Sequence, residues 1–242
     1  NKGIGGFMMI KNFKASEKIG DIVARFPKAA EVFKIYNIDF CCGGDRPLSQ
    51  AIEEQKLNQK EILERLEEQY GTLRSMELED VDFRKLSMTE LIDHILNTHH
   101  VFVKTELPRI SDLITKILRV HSVEHGQTLS QVHKLFGSLR MEMEQHLIKE
   151  EEILFPKIKE YEQNPSDQLL AEIISVMEET ENEHDGAGDL IKSLRTVTND
   201  FNAPSNSCAS FVLTYKRLEE FESDLFQHIH LENNILFPRI KA

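Results

Sequence analysis

The sequence contains little cysteine, fewer positively than negatively charged residues and no long apolar run. Its three cysteines, two of them adjacent, do not match the disulfide framework of a small secreted domain. A net charge of −12 would repel a phosphate backbone, so we expect no nucleic-acid partner. No apolar run approaches the roughly 20 residues that cross a bilayer, and the start "NKGIGGFMMI" lacks the pattern of a secretion signal. We therefore expect a cytoplasmic protein that does not bind membranes.

Strand patterns are missing too, whereas helical patterns fill the second part of the chain. No stretch alternates apolar and polar residues as a half-buried strand would. Helical periodicity predicts four long helices, at about residues 87–118, 129–159, 166–198 and 208–240. Ser87 and Glu90 have the spacing of a capping box at the start of the first helix. Short connections, such as residues 119–128 between the first two helices, favour an antiparallel four-helix bundle.

The predicted all-α chain divides into four segments. Residues 1–10 are interpreted as a tag remnant or a disordered start, and residues 11–75 as a small helical module. Residues 76–86 form an acidic linker, and residues 87–242 form the four-helix bundle. Exposed apolar faces on so small a module are compatible with a homodimer.

A near-repeat links the second and fourth predicted helices. Residues 146–158 read "HLIKEEEILFPKI" and residues 228–240 read "HIHLENNILFPRI", with His, Glu, Ile, Leu, Phe, Pro and Ile at matching positions. Each copy places a histidine and a glutamate four residues apart, on one face of a helix. The bundle therefore looks like a duplicated pair of helices.

The second and fourth helices place these polar residues within an apolar face. On the second helix that face consists of Val132, Phe136, Leu139, Met143, His146, Glu150 and Ile153. On the fourth helix it consists of Phe211, Tyr215, Leu218, Phe221, Leu225, His228, Glu232 and Ile235. Each of these helices is therefore predicted to direct one histidine and one glutamate into the core.

The first and third helices each add one inward histidine. On the first helix His100 lies on an unbroken apolar face, whereas the face of its neighbour His99 continues to Glu106, so we predict that His100 points inward. On the third helix His184 shares its face with Met177 and Ile191. The core is thus predicted to contain four imidazoles and two carboxylates.

Such a core requires a compensating charge, because a buried ionised carboxylate is costly without one. A lone inward histidine is usually an ordinary core residue, and a single His–Glu pair four residues apart is commonly a surface pair. The repeat, together with His100 and His184, instead favours a pair of divalent cations bridged by two carboxylates. Nitrogen and oxygen ligands without thiolate suit iron or manganese, with zinc less favoured. We expect iron, because helix bundles are known to hold bridged di-iron pairs.

The chain resembles the iron-sulfur cluster repair proteins of the Repair of Iron Centers family in the segments "DFCCGG", "HLIKEEEILFP", "ENEHDGAGDL" and "HIHLENNILFPR". The resemblance extends from about Ile19 to Ile240 and implies a hemerythrin-like di-iron bundle with a small N-terminal module. It implies two iron ions, oxo- or hydroxo-bridged, with the ligands His100, His146, Glu150, His184, His228 and Glu232. Glu142 and Glu183 match acidic positions near the di-iron centre of the family. The resemblance implies that they lie next to the ligands or along an access channel, and exposed ion-pairing residues are the alternative.

The resemblance also separates this chain from the oxygen-carrying hemerythrins. Those proteins have an extra histidine that leaves one iron open to dioxygen, whereas the repeat here indicates two similar iron sites. Similar sites bridged by carboxylates suit reaction with small oxidants or the release of iron.

Cys41 and Cys42 form a second candidate site, in the turn "DFCCGGDRP". Adjacent cysteines do not readily share one ion as a C-x-x-C pair does, and a disulfide between neighbours is strained. Gly43 and Gly44 permit unusual backbone angles, and the start of the next helix would favour a thiolate. A redox-active or iron-transferring pair that faces the bundle, and a tight turn with two half-buried thiols, remain open as alternatives. The family resemblance favours the first.

The resemblance implies a role in repairing iron-sulfur clusters damaged by oxidative or nitrosative stress, through iron donation from the di-iron centre. Iron-sulfur proteins would then be clients, and nitric oxide, peroxide or dioxygen would be the small molecules that reach the centre. Two alternatives remain open. The first is an oxidoreductase that reduces nitric oxide or peroxide, and the second is an oxygen- or nitric oxide-binding sensor or an iron-storage module.

Overall fold

The computed structural model describes residues 12–75 and 81–241, which form two compact units. The first unit ends at Arg84 and the second begins at Lys85. The expected N-terminal start, residues 1–10, lies outside the described residues, as do residues 76–80 of the expected linker. Helices dominate both units, and the described residues form no strand, so the all-α prediction is confirmed. Within the same residues, no helix combines the length and the apolar character needed to cross a membrane.

The first unit is a small helical module around an aromatic core. Its helices are α1 (Ile19–Arg25), α2 (Ala29–Ile35), α3 (Leu48–Glu54) and α4 (Gln59–Ser75). Phe13 and Phe26 are buried, and each ring contacts the ring of Tyr70 edge-on, at centroid distances of 5.6 and 5.3 Å. These contacts join α4 to the start of the unit and to the end of α1.

The second unit is a four-helix bundle in which three of the four rods are interrupted by a π turn. The rods consist of α5 (Met88–Ile95) with α6 (Val101–Val120), α7 (Ser122–Lys149) with α8 (Phe155–Gln163), α9 (Asp167–Val197) alone, and α10 (Ala209–Leu231) with α11 (Phe237–Lys241). Helix α7 packs against α6 and α9, and α10 packs against the same two helices. The predicted bundle is therefore confirmed.

The ends of the rods follow local signals in two places and depart from them in a third. Ser87 and Glu90 form the predicted capping box, and the Ser166 hydroxyl caps α9 by accepting the backbone N–H of Leu169. The predicted loop at residues 119–128 is wrong, because α7 begins at Ser122. Gly126 does not prevent the helix from starting there, because a single glycine inside a helix costs only about 1 kcal/mol. His125, in the same extra helical segment, packs edge-on against Phe211 of α10.

The π turns span Leu96–His100, Glu150–Leu154 and Glu232–Leu236. A π turn inserts one extra residue, so it shifts the buried face of the helix by one position. The prediction that Ile153 continues the buried face of Glu150 is therefore wrong: Ile153 is 43% exposed, whereas Leu154 is 0% exposed. In the corresponding turn of the last rod, Ile235 and Leu236 are both buried.

This shift in register can be tested with two neighbouring substitutions. We expect Leu154→Ala to lower the free energy of unfolding by about 2–5 kcal/mol, because it leaves a cavity in the core. Ile153→Ala should change it by no more than about 0.5 kcal/mol, since the side chain faces solvent. Urea denaturation followed by circular dichroism measures both. Equal losses, or a larger loss for Ile153→Ala, would indicate an uninterrupted α-helix here.

Candidate metal centre

Four rods direct polar side chains to one place in the bundle core. The six predicted residues, all at most 3% exposed, are His100, His146, Glu150, His184, His228 and Glu232. Three of them lie at the π turns: His100 ends the first, Glu150 begins the second and Glu232 begins the third. The structure therefore brings all six side chains together, and the helix irregularities coincide with their positions.

These side chains form two groups that share both glutamates. His100 and His228 make one group with Glu150 and Glu232, and His146 and His184 make the other with the same two glutamates. Within each group, one ligand atom per residue lies within 4.8 Å of every other. The cluster thus offers two adjacent positions for a cation.

Each carboxylate divides its two oxygens between the two groups. Glu150 places Oε2 3.2 Å from His100 Nε2 and Oε1 3.1 Å from His146 Nε2. Glu232 places Oε1 3.1 Å from His228 Nε2 and Oε2 3.0 Å from His184 Nε2. This is the geometry expected of two carboxylates that bridge neighbouring cations.

The clustered side chains leave several of their buried polar atoms without hydrogen bonds, as expected of a site that binds cations. Both oxygens of Glu150, Oε2 of Glu232 and Nε2 of His100 are buried without a hydrogen-bond partner among the residues that the structure describes. A buried polar atom left unsatisfied costs about 1–3 kcal/mol, and more when it is charged. A cation at each position would satisfy these atoms and neutralise the carboxylates.

The electrostatics of the cluster lead to the same interpretation. Burial disfavours charge on Glu150, but His146 and the neighbouring imidazoles hold the pKa of its carboxyl well below the usual value. Burial also disfavours protonated His146, yet Glu150 outweighs it and raises the pKa of His146 to about 9. His228 differs, because burial dominates and lowers its pKa. Without a cation, the carboxylates thus remain ionised and retain protons on nearby imidazoles, which a metal would displace.

Acceptors outside the cluster hold three of the four imidazoles. The Nδ1–H of His100 donates to Glu151 (2.8 Å), and that of His146 donates to Glu183 (2.9 Å). The Nδ1–H of His184 donates to Oδ1 of Asn233 (2.8 Å). Because these oxygens only accept, they hold a proton on Nδ1 and direct Nε2 toward the cluster, where a metal would take the place of any proton on Nε2.

The two further acidic residues predicted from the sequence occupy different environments. Glu183 is half-buried, and its hydrogen bond from His146 is the main cause that lowers the pKa of its carboxyl to about 2. Lys149 also donates to it, at 2.6 Å. Glu142 is exposed, and its Oε2 lies 3.8 Å from where a Cβ on Gly186 would stand. Among the described residues, no hydrogen bond joins Glu142 to the cluster.

Sequence reasoning missed several residues that contact the cluster. Glu151 and Asn233 each directly follow a clustered glutamate, so the near-repeat itself could have indicated them. His99 was set aside because its face continues to Glu106. That carboxylate is indeed buried, but Arg217 pairs with it at 2.8 Å, so it does not prevent this face from pointing inward.

The cysteine turn belongs to the first unit and contains a buried thiol. Cys41 is 2% exposed and Cys42 is half-buried; their sulfur atoms lie 3.9 Å apart and form no disulfide. The hydrogen bond to Cys42, burial and the nearby Asp39 carboxylate raise the pKa of Cys41 well above its usual value. Burial and the raised pKa therefore favour a thiol rather than a thiolate at Cys41.

Gly43 serves close packing in this turn. Neither Gly43 nor Gly44 uses the unusual backbone angles that glycine permits, since no described glycine has a positive φ. A Cβ on Gly43 would instead stand 3.2 Å from the backbone oxygen of Asp39 and from two guanidinium nitrogens of Arg46. The Asp39 carboxylate also accepts the backbone N–H groups of Cys41 and Gly43, which closes the turn.

Alkylation tests the state of Cys41. We expect iodoacetamide at neutral pH to modify exposed Cys208 at least tenfold faster than Cys41, because Cys41 is buried and its raised pKa keeps it protonated. Peptide mass spectrometry over a time course measures both rates, and urea-unfolded protein is the control in which the rates converge. Comparable rates in the folded protein would contradict a buried, protonated thiol.

Comparisons with known proteins agree with this architecture. Residues 91–240 match the family model for the hemerythrin HHE cation-binding domain, and residues 15–70 match ScdA_N, described as a domain of unknown function. A probable iron-sulfur cluster repair protein from Haemophilus influenzae is 36% identical over 93% of this chain and 97% of its own length. The iron-sulfur cluster repair proteins YtfE of Shigella boydii and of Escherichia coli O8 are also 36% identical, with the same coverage. The chain therefore belongs to the family of iron-sulfur cluster repair proteins that carry a hemerythrin-type cation-binding domain.

Proposed function

We propose that the protein holds two iron ions bridged by Glu150 and Glu232 and donates iron to damaged iron-sulfur clusters. One observation carries the proposal: each carboxylate directs one oxygen to the His100–His228 pair and the other to the His146–His184 pair. Imidazole and carboxylate ligands without thiolate suit iron. Iron would supply the centre with a redox-active cation that a damaged iron-sulfur cluster also needs.

The side chains around the ligands cover the site and hold its imidazoles in place. In the near-repeat, each phenylalanine packs on an imidazole of the preceding rod: Phe155 lies 5.6 Å from His100, and Phe237 is stacked 6.1 Å from His184. Glu151 and Asn233 hold the same two rings through Nδ1. The repeated motif therefore provides one carboxylate ligand, the holder of a neighbouring imidazole and an apolar cover.

Iron-sulfur proteins are the clients that this function requires, and the names of the relatives support them. A cytoplasmic location fits the cysteines, which form no disulfide in the described part of the chain. Reduction of nitric oxide or peroxide through Cys41 and Cys42 is less well supported, because the Cys41 thiol is buried and protonated. Reversible binding of dioxygen, with iron retained, is the outcome that would replace donation.

Iron transfer to a client tests the proposal. Anaerobic protein loaded with ferrous iron is mixed with a cluster-free [4Fe–4S] protein, sulfide and thiol, and cluster absorbance is followed while iron on each protein is measured. We expect about two ions per chain at the start and iron transfer as clusters form. Glu150→Gln should lose at least one ion and most transfer, because a bridging oxygen becomes a neutral amide. Glu152→Gln, an exposed neighbour, should behave as the wild type does.

The double variant Cys41→Ser/Cys42→Ser distinguishes the contributions of the two units in the same assay. We expect this variant to keep the full iron content, since all six proposed ligands lie in the second unit. Reduced transfer with full iron would assign the cysteines to delivery. Full iron content in Glu150→Gln, or a wild type that binds dioxygen while iron never reaches the client, would contradict the proposal.

A further inference from the structure

We propose that the two cation positions are unequal: His99 and Asp224 position the ligand His228, and the ion beside His228 is held more weakly and leaves first. The inference rests on the proposed centre and assigns the release of iron to one side of it. It departs from the two similar sites that the near-repeat predicts.

His228 is the one imidazole of the four without an outer acceptor in the described part of the chain. Its Nδ1 is buried and has no hydrogen-bond partner there. For His100 and His146 the acceptor is a carboxylate. Each carboxylate also accepts a hydrogen bond of 2.6 Å from a lysine, Lys104 beside His100 and Lys149 beside His146. Because such acceptors fix the ring and raise the basicity of Nε2, their loss typically weakens metal binding by roughly 10- to 100-fold.

His228 is instead positioned by a stacked ring. The His99 ring lies parallel to it, with centroids 5.7 Å apart and planes 4° apart. The Nδ1 of His99 pairs with Oδ1 of Asp224 at 2.9 Å, and Asp224 lies one turn before His228 on the same helix. A stacked neighbour restricts the tilt of the His228 ring but neither assigns its proton nor increases its basicity. His99 and Asp224 are therefore positioning residues, and the position that they support is the weaker one.

The duplicated architecture explains how this inequality arises. Glu183 and His99 are equivalent in the two halves, since each directly precedes a clustered histidine and contacts the histidine of the other half's repeat motif. In one half that residue is an acceptor for His146, and in the other it is a ring against His228. The halves also differ at Glu151 and Asn233, but each of those residues still accepts from its imidazole, so the Glu183–His99 difference is the one that leaves a ligand without an acceptor among the described residues.

Release of ferrous iron to a coloured chelator tests the inequality without measuring repair. Under anaerobic conditions, we expect wild-type protein to lose its two ions in two phases at least tenfold apart in rate. His99→Ala should accelerate the fast phase by about 10-fold, the low end of the usual range for residues that support a ligand, because a stacked ring exchanges no hydrogen bond with His228. It should leave the slow phase unchanged. Glu183→Gln should accelerate the slow phase, because it weakens the holder of His146. His133→Ala, at an exposed position, should change neither phase.

Two further measurements keep the result independent of folding. His99→Phe keeps a ring against His228 but loses the pairing with Asp224, so its fast phase should lie between those of wild type and His99→Ala. Circular dichroism reports any loss of fold. In crystals of zinc-loaded protein from which one equivalent has been removed, anomalous scattering should show the remaining ion beside His146 and His184. A single release phase, an unaffected His99→Ala, or the remaining ion beside His228 would overturn the inference. Failure of the proposed function would give a different result, because the wild-type protein would then bind no iron at the cluster.

Discussion

Two fully buried carboxylates, Glu150 and Glu232, are the constraint on which the centre of the bundle depends. They repel each other, and burial makes each charge costly, so positive charge must lie beside them. Every rod of the bundle supplies one imidazole to that place, and two cations would complete the compensation. Metal binding would then join all four rods, and part of the binding free energy would become folding free energy.

The π turns give this cluster its geometry. An α-helix repeats every 3.6 residues, which leaves a limited choice of directions for a side chain near a fixed point. One inserted residue rotates the following segment, and all three turns lie at a clustered residue. The third rod has no such turn and contributes a histidine without a glutamate. The irregular backbone is therefore associated with the glutamate-bearing motif and with the first histidine.

Much of this architecture could be predicted from the sequence, because a helical period and a repeated motif are both visible in one chain. The bundle and the six converging residues were predicted in this way. The π turns have no comparable compositional signal, and for that reason Ile153 was predicted to be buried. His99 was set aside because of Glu106, whose pairing with Arg217 on another helix the local sequence does not show. The extra turn of α7 also depends on a contact between helices, which local sequence does not specify. Glu151 and Asn233 were predictable, since both follow a repeated glutamate.

Anomalous diffraction at the iron edge, from crystals of the iron-loaded protein, tests the central claim most directly. The account predicts two iron peaks, one bound by His100 and His228 and the other by His146 and His184. Each of Glu150 and Glu232 should contribute one oxygen to each iron. A single peak, or iron bound elsewhere while the six side chains pair only with one another, would contradict it.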